Sequence, residues 1–247
     1  MARKIASLAL ILAVLFASSA FAIPVPPSKG QWAYPTEEYM NLYRKADGNS
    51  RSEEVRMPQK WISVPSAVRD DDNYLWYKVS VNGKNGWLPQ HGILLKMGGK
   101  SKLATNIARN YAKARRKVMN NPDGWSVRDE DGSTVYSTDG RTGDASFRVI
   151  EGRRGVRDVH FSTSDYRICR EFLGVDLVGW TQPEVRSKLG TPTFRETPYD
   201  TPEYSFLYYE LEDRDMTLSV LERREGNDRE GTVYRVELFE GRRTDMD

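Results

Sequence analysis

Alternation of apolar and polar residues between positions 75 and 88 predicts a β-hairpin. Successive side chains of a strand point to opposite faces, and the strands predicted at 74–81 and 85–88 both follow this alternation. The pair Asn82-Gly83 between them tolerates the positive φ angles of a tight turn. Gly86 indicates a bulge or a close backbone approach beside Trp87. Tyr77, Val79 and Val81 are predicted on one face, and Trp76, Lys78 and Ser80 on the other.

Other short runs predict further strands in the first hundred residues. The predicted strands are residues 39–42, 54–56, 61–68 and 93–96. Turn residues separate these runs, and short strands joined by turns are typical of a small closed or nearly closed barrel.

A helix is predicted from Ser101 to Met119. Apolar residues recur there at helical spacing, and Ser101 is a suitable N-cap. The opposite face is basic, so the helix could pack on its own protein or lie on a membrane surface, and we favour packing. The apolar stripe consists of Leu103, Ile107, Tyr111, Ala114 and Val118. The basic face consists of Arg109, Lys113, Arg116 and Lys117.

The second half of the chain reads as strands with two short helices. Two hairpins are predicted first, from strands at 125–128 and 134–137 and from strands at 146–150 and 156–161. The helices are predicted at 164–172 and 181–189, and a meander at 204–211, 216–223 and 232–239. We therefore predict a mainly β fold that ends in an α+β part with an antiparallel meander.

The first residues predict secretion. Arg3 and Lys4 precede an apolar run at 5–16, and Ala20-Phe21-Ala22 matches the small-residue pattern of a cleavage site. A run of this length is shorter than the roughly 20 residues that span a bilayer, so cleavage is favoured over an uncleaved anchor. We expect a signal peptide at 1–22, a mature chain from Ile23 in the periplasm or outside the cell, and no stable membrane insertion after cleavage.

Charge and cysteine content exclude two classes of protein. The chain has 37 basic and 35 acidic residues, and loss of Arg3 and Lys4 with the signal peptide would equalise them. Nucleic-acid binders usually carry a clear basic excess, so no nucleic-acid partner is expected. Cys169 is the single cysteine, which excludes an internal disulfide framework.

Residues 38–97 resemble the bacterial SH3-like (SH3b) domain. Asn41-Leu42-Tyr43-Arg44 is similar to the opening strand of these domains. Trp76-Tyr77-Lys78-Val79, followed by Asn82-Gly83-Lys84 and Gly86-Trp87-Leu88, is similar to their hairpin. The resemblance implies an SH3-like barrel and non-catalytic binding in the cell envelope, to cell-wall peptides or to protein partners.

Residues 179–192 resemble the start of a BamE/SmpA-type envelope domain, whose pattern is G-x-T-x-x-x-V-x-x-x-L-G-x-P. The same residues predict a helix start, because Thr181 can cap a helix and Pro183 falls in its first turn. Gly190 is predicted to end the helix in a left-handed conformation. The resemblance implies a scaffold that binds other proteins.

These patterns predict a signal peptide at 1–22 and an SH3-like β-barrel domain at 31–98. A helical connector at 99–123 and an α+β BamE-like domain at 124–247 follow.

Catalytic and metal chemistry have little support in the sequence. Cys169 with His91 or His160 could form a nucleophile pair, but no catalytic signature surrounds the cysteine, so a buried structural cysteine is favoured. Asp70-Asp71-Asp72 lacks the spaced ligands of a calcium loop. No phosphate-binding glycine loop precedes a helix. We expect no catalytic residues, no metal and no cofactor.

Aromatic residues are the better indication of function. Tyr43, Trp76 and Trp87 are the candidate ligand-binding residues, because strand alternation could bring them to one rim of the barrel. The alternative is that they fill its core. We predict a secreted, non-catalytic envelope protein that recognises peptidoglycan peptides or a protein partner. A cell-wall turnover enzyme with unrecognised catalytic residues and a secreted protein inhibitor are the alternatives.

Overall fold

The computed structural model describes Pro27 and residues 29–70, 74–138, 144–152, 155–211, 215–223 and 231–241. Within these ranges 50% of the residues lie in strands and 18% in helices. Antiparallel pairing joins the strands into two sheets. The predicted mainly β class is therefore confirmed, whereas the predicted signal peptide lies outside the described residues.

The strands and helices follow one another in this order. In the first half they are β1 (Trp32–Pro35), β2 (Tyr39–Tyr43), β3 (Ser52–Arg56), β4 (Ile62–Ser63), β5 (Ser66–Arg69), β6 (Leu75–Val81), β7 (Lys84–Pro89), β8 (Ile93–Lys96) and α1 (Lys102–Asn120). In the second half they are β9 (Trp125–Glu130), β10 (Ser133–Thr138), β11 (Ala145–Gly152), β12 (Gly155–Thr163), α2 (Tyr166–Leu173), α3 (Gln182–Leu189), β13 (Phe194–Thr197), β14 (Tyr204–Leu211), β15 (Met216–Arg223) and β16 (Thr232–Glu240).

One sheet has five strands and the other has eleven. The five-stranded sheet has the order β3-β2-β7-β6-β5. The eleven-stranded sheet has the order β4-β1-β8-β13-β14-β15-β16-β12-β11-β10-β9. The pairing of β8 with β13 makes the larger sheet continuous from the predicted barrel region into the C-terminal region. The predicted domain limits stay a prediction.

The helices pack on one face of the larger sheet and form its main core. The apolar stripe of α1 faces this core, with Ile107 and Tyr111 fully buried, so packing on the protein is confirmed for this helix. Phe172 on α2 is a centre of the core, because its ring lies within 6.4 Å of four other aromatic rings. Burial of such rings is the main source of stability in a core of this kind.

A buried ion pair joins α1 to the sheet. The guanidinium of Arg115 contacts the carboxylate of Asp158 on β12, and both side chains are largely buried. The ring of Tyr111 lies 6.0 Å from the same guanidinium. Burial, followed by the negative charge of Asp158, raises the pKa of Tyr111 well above its usual range, so this phenol stays protonated.

A second core lies between the five-stranded sheet and the β4-β1-β8 end of the larger sheet. Tyr77, Val79 and Val81 of β6 point into it, as the alternation predicted. Ile93 and Leu95 of β8 face them from the larger sheet. A smaller cluster on the opposite face of that sheet contains Tyr34, Trp61, Leu94, Phe194, Tyr208 and Phe239.

The five-stranded sheet and the helices cover neighbouring parts of the same face of the larger sheet. Arg195 on β13 pairs directly with Leu95 on β8 and with Leu207 on β14. Residues that pair directly across strands lie on the same face of the sheet. Leu95 packs in the core beneath the five-stranded sheet, whereas Leu207 packs in the core beneath the helices. Arg195 therefore lies between the two cores, at a place that we call the seam.

The local predictions are largely confirmed. Asn82 and Gly83 have φ angles of 51° and 79°, as the predicted hairpin turn requires. The Ser101 hydroxyl accepts a hydrogen bond from the backbone N–H of Ala104 and caps α1. Predicted strands match at 93–96, 204–211 and 216–223.

Three local predictions are wrong or incomplete. The strand predicted at 61–68 is two strands, β4 and β5, which belong to different sheets. Neither β1 nor β13 was predicted. Gly190 ends α3 with φ 80° and ψ −160°, so its φ is positive but its conformation is not left-handed helical.

Candidate functional site

Strand pairing brings the three candidate ligand-binding residues together on one face of the five-stranded sheet. Tyr43 on β2 stands directly opposite Trp87 on β7, which in turn stands opposite Lys78 on β6. Trp76 lies two residues before Lys78 and therefore points to the same face. The rings of Tyr43 and Trp76 meet edge to face with centroids 5.0 Å apart. This face is opposite the one that packs in the core between the two sheets.

The three residues differ in how much of their surface solvent can reach. Trp76 is 4% exposed, and its indole N–H donates a hydrogen bond to Asp70 Oδ2 at 2.7 Å. Tyr43 and Trp87 are half-buried. The Lys78 ammonium lies 6.0 Å from the centre of a Trp87 ring. Trp76 is therefore a buried ring that packs against Tyr43, whereas the rings of Tyr43 and Trp87 remain partly accessible to a ligand.

Two further exposed apolar side chains share this face. Tyr39 lies four residues before Tyr43 on β2 and is 52% exposed. Val68 on β5 stands opposite Trp76 and is 40% exposed. We call Tyr39, Tyr43, Val68, Trp76 and Trp87 the aromatic surface. Tyr39 and Val68 were not among the predicted binding residues, although the alternation in β2 and β5 places them on this face once the strand pairs are known.

A depression of about 650 Å³ lies at the edge of the aromatic surface, beside Trp76. Asp47 and Asn49 form one side of it, and Asp70 and Tyr74 form another. Asp70 is held in place because its Oδ1 accepts a hydrogen bond of 2.8 Å from the Tyr74 backbone N–H. Aromatic faces beside amide and carboxylate groups suit an extended peptide, which needs both apolar contacts and hydrogen-bond partners.

Gly86 sets the spacing of the strands under this surface. A Cβ atom at this position would lie 2.5 Å from Leu42 Cγ and 2.9 Å from the carbonyl oxygen of Tyr43. Glycine is therefore needed for β2 and β7 to approach each other, as the close backbone approach predicted from the sequence requires. The position of Tyr43 relative to Trp87 depends on this contact.

The possible cysteine–histidine pair is not assembled. Cys169 is fully buried in the core beneath the helices, and burial raises its pKa to about 11. Phe161 points into that same core, so its neighbour His160 lies on the opposite face of the sheet. His91 lies in the first half of the chain, where the centroid of its ring is 5.4 Å from the centroid of the Tyr74 ring. A thiol with a raised pKa and no nearby imidazole is a poor nucleophile.

The part of the chain that the structure describes contains no metal-ligand cluster and no helix that could span a membrane. No group of three or more His, Cys, Asp or Glu side chains is placed there to hold a metal ion. Asp71 and Asp72, from the possible calcium loop, lie outside the described residues. None of the described helices has the length and apolar character needed to cross a membrane.

The resemblances to SH3b and BamE/SmpA domains stay predictions. Both depend on short motifs, and the geometry of a hairpin or of a capped helix can arise in unrelated folds. Function is therefore inferred from the side chains that the fold brings together. Neither a protein-family model, nor a curated protein, nor a solved structure matches this chain.

Proposed function

We propose that the protein is a secreted, non-catalytic binding protein of the cell envelope, which recognises peptidoglycan peptides or an envelope protein partner through the aromatic surface. The observation that supports it most is the convergence of Tyr43, Trp76 and Trp87 on one face, with the rings of Tyr43 and Trp76 in contact. Half-buried aromatic side chains supply large contact area at low entropic cost, which makes them effective binding residues.

The finer fold assignment belongs to the same proposal. We assign the first part of the chain to an SH3-like barrel, because two antiparallel sheets enclose one core there. We assign the C-terminal part to an α+β domain of BamE-like plan. Its support is the capping box of Thr181 with Glu184, followed by the meander β14-β15-β16.

The alternatives are less well supported by the described side chains. A cell-wall turnover enzyme of the cysteine type would need an activated thiolate, whereas burial keeps the Cys169 thiol protonated at neutral pH. A secreted inhibitor would present a rigid convex loop or strand to its target, and nothing among the described residues favours a particular segment for that role. Binding through the aromatic surface therefore remains the first choice.

Trp87→Ala and Tyr43→Ala are the variants that test this proposal. Removal of a desolvated aromatic contact costs upwards of ~2 kcal/mol of binding free energy, so retention on isolated peptidoglycan or on envelope extract should fall about thirtyfold. Each variant should keep a cooperative melting transition, because both residues are only half-buried. Retention is measured by co-sedimentation with sacculi and by pull-down with the immobilised mature protein.

Tyr166→Ala is the matched control, because Tyr166 is an exposed tyrosine on α2, away from the aromatic surface. Loss of sedimentation with sacculi assigns the peptide ligand, and loss of pull-down alone assigns a protein partner. If folded Trp87→Ala and Tyr43→Ala are retained as well as Tyr166→Ala in both assays, the aromatic surface is not the binding site.

Secretion is tested separately by the start of the exported chain. Ala20-Phe21-Ala22 should direct cleavage before Ile23, so N-terminal sequencing of the exported protein should begin at that residue. A chain that begins at Met1, or after the prolines that follow Ile23, would contradict the proposed signal peptide.

A further inference from the structure

A cavity of about 370 Å³ opens at the seam, between α3 and the strands β13 and β14. Its lining includes Met97, Gln182, Arg186, Pro192, Arg195 and Leu207. Cavities between structural units are common ligand sites, because side chains from several elements can converge there. The side chains at the seam combine two guanidinium groups with an apolar wall.

The two arginines are held in place but keep free donors. Arg186 donates a hydrogen bond from Nη2 to Gln182 Oε1 at 2.9 Å, and Arg195 donates from Nη2 to Ser205 Oγ at 3.3 Å. A guanidinium has five N–H donors, so one such bond leaves most of them available. Within the described ranges, no carboxylate lies within ion-pair distance of Arg186 or Arg195. Both groups are therefore oriented by neutral partners.

Gln182 makes this orientation rigid. Its side chain is buried, and its Nε2 donates a hydrogen bond to the buried carboxylate of Glu222 at 2.9 Å. The hydrogen bond to Glu222 fixes the orientation of the Gln182 side-chain amide. Its Oε1 atom then accepts the hydrogen bond from Arg186. Gln182 thus links Arg186, which lines the cavity, to the buried carboxylate of Glu222.

The positive charges of Arg186 and Arg195 also act on a third arginine, on β5. Arg69, at the end of β5, has its pKa lowered first by burial and then by the positive charges of Arg195 and Arg186. Arg69 itself lines the depression beside Trp76, so the cations that line the seam cavity are Arg186 and Arg195. A positive potential of this kind favours an anionic ligand.

We propose that the seam cavity binds a carboxylate attached to a small apolar body. The guanidinium groups of Arg186 and Arg195 would hold the carboxylate, since their planar forks match its two oxygens. Met97, Pro192 and Leu207 would contact the apolar part. A free small acid and the C-terminus of a peptide share this chemistry. The proposal is independent of the aromatic surface, because the cavity lies between α3 and the larger sheet.

Titration calorimetry with the mature protein tests the proposal. The probes are N-acetyl-leucine and the peptide acetyl-Ala-Ala-Ala-Leu, each compared with its C-terminal amide. The acid of at least one pair should bind at least tenfold more tightly than its amide. Tighter binding of N-acetyl-leucine assigns a free small acid, and tighter binding of the peptide assigns a chain end.

Variants then locate the binding. The double variant with Arg186→Gln and Arg195→Gln should bind the preferred acid at least tenfold more weakly. Arg195→Lys should bind it severalfold more weakly, because the charge remains but the planar fork of donors is lost. Arg128→Gln is the matched control, since Arg128 is an exposed arginine on β9. Circular dichroism checks that each variant is folded.

Three results would overturn the proposal. The first is equal binding of acid and amide by the wild-type protein, which needs no variant. The second is unchanged affinity in a folded double variant. The third is binding of inorganic phosphate by a protein that binds neither acid, which would make the cavity a phosphate site. Retention on sacculi is a separate measurement, so its failure would affect only the aromatic surface.

Discussion

Arg115→Ala is expected to lower the free energy of unfolding by about 3–5 kcal/mol. The change removes the buried guanidinium that contacts Asp158, and it leaves a largely buried carboxylate without its cation. Desolvation of an unpaired charge is the most costly outcome of breaking a buried pair. Urea denaturation followed by circular dichroism measures the change. Arg116→Ala is the control, because this neighbouring arginine is exposed and should change stability by less than about 0.5 kcal/mol.

A double variant separates the value of the pair from the cost of breaking it. Arg115→Met with Asp158→Leu replaces both charges by apolar groups of similar size, and such replacements are often neutral or stabilising. The double variant should therefore be much more stable than Arg115→Ala. If Arg115→Ala and Arg116→Ala are equally stable, the ion pair does not anchor α1 to the sheet. The result also concerns the seam, because α1 packs against α3, which holds Arg186.

Local structure could be predicted well from the sequence because its signals are local. The hairpin turn depends on Asn82 and Gly83, and the start of α1 depends on the hydroxyl of Ser101. Strand β13 was missed for a physical reason. It is four residues long and reads Phe-Arg-Glu-Thr, and it is stabilised by pairing with β8, about a hundred residues earlier in the chain. No local pattern encodes such a long-range pair.

The candidate site was predicted in part for the same reason. Alternation along β6 places Trp76 on the outer face, and the structure brings Tyr43 and Trp87 to it. Burial of Trp76 could not be predicted, since it depends on Asp70 and on the edge contact from Tyr43. The seam was missed altogether because Arg186 reads as an ordinary helix charge until β13 is placed beside it.

Trp76→Ala is expected to destabilise the protein by about 3–5 kcal/mol, unlike Trp87→Ala. The reason is burial, because 4% of Trp76 is exposed and its ring supports Tyr43. Trp76→Phe is the more informative variant, since it keeps an aromatic ring, although a smaller one, and removes the N–H that bonds to Asp70. Loss of a hydrogen bond to a carboxylate costs roughly 1.5–3 kcal/mol, so Trp76→Phe should destabilise the protein less than Trp76→Ala. Thermal and urea denaturation give both values.

The combination of stability and binding decides the role of Trp76. Folded Trp76→Phe should keep most of its retention on sacculi or envelope extract, because Tyr43 and Trp87 remain in place. If Trp76→Ala melts like the wild-type protein and loses retention, the ring is a direct ligand contact despite its burial. If Trp76→Ala, Tyr43→Ala and Trp87→Ala all unfold, these aromatic side chains are core, and the binding surface lies elsewhere, with the C-terminal meander as the next candidate.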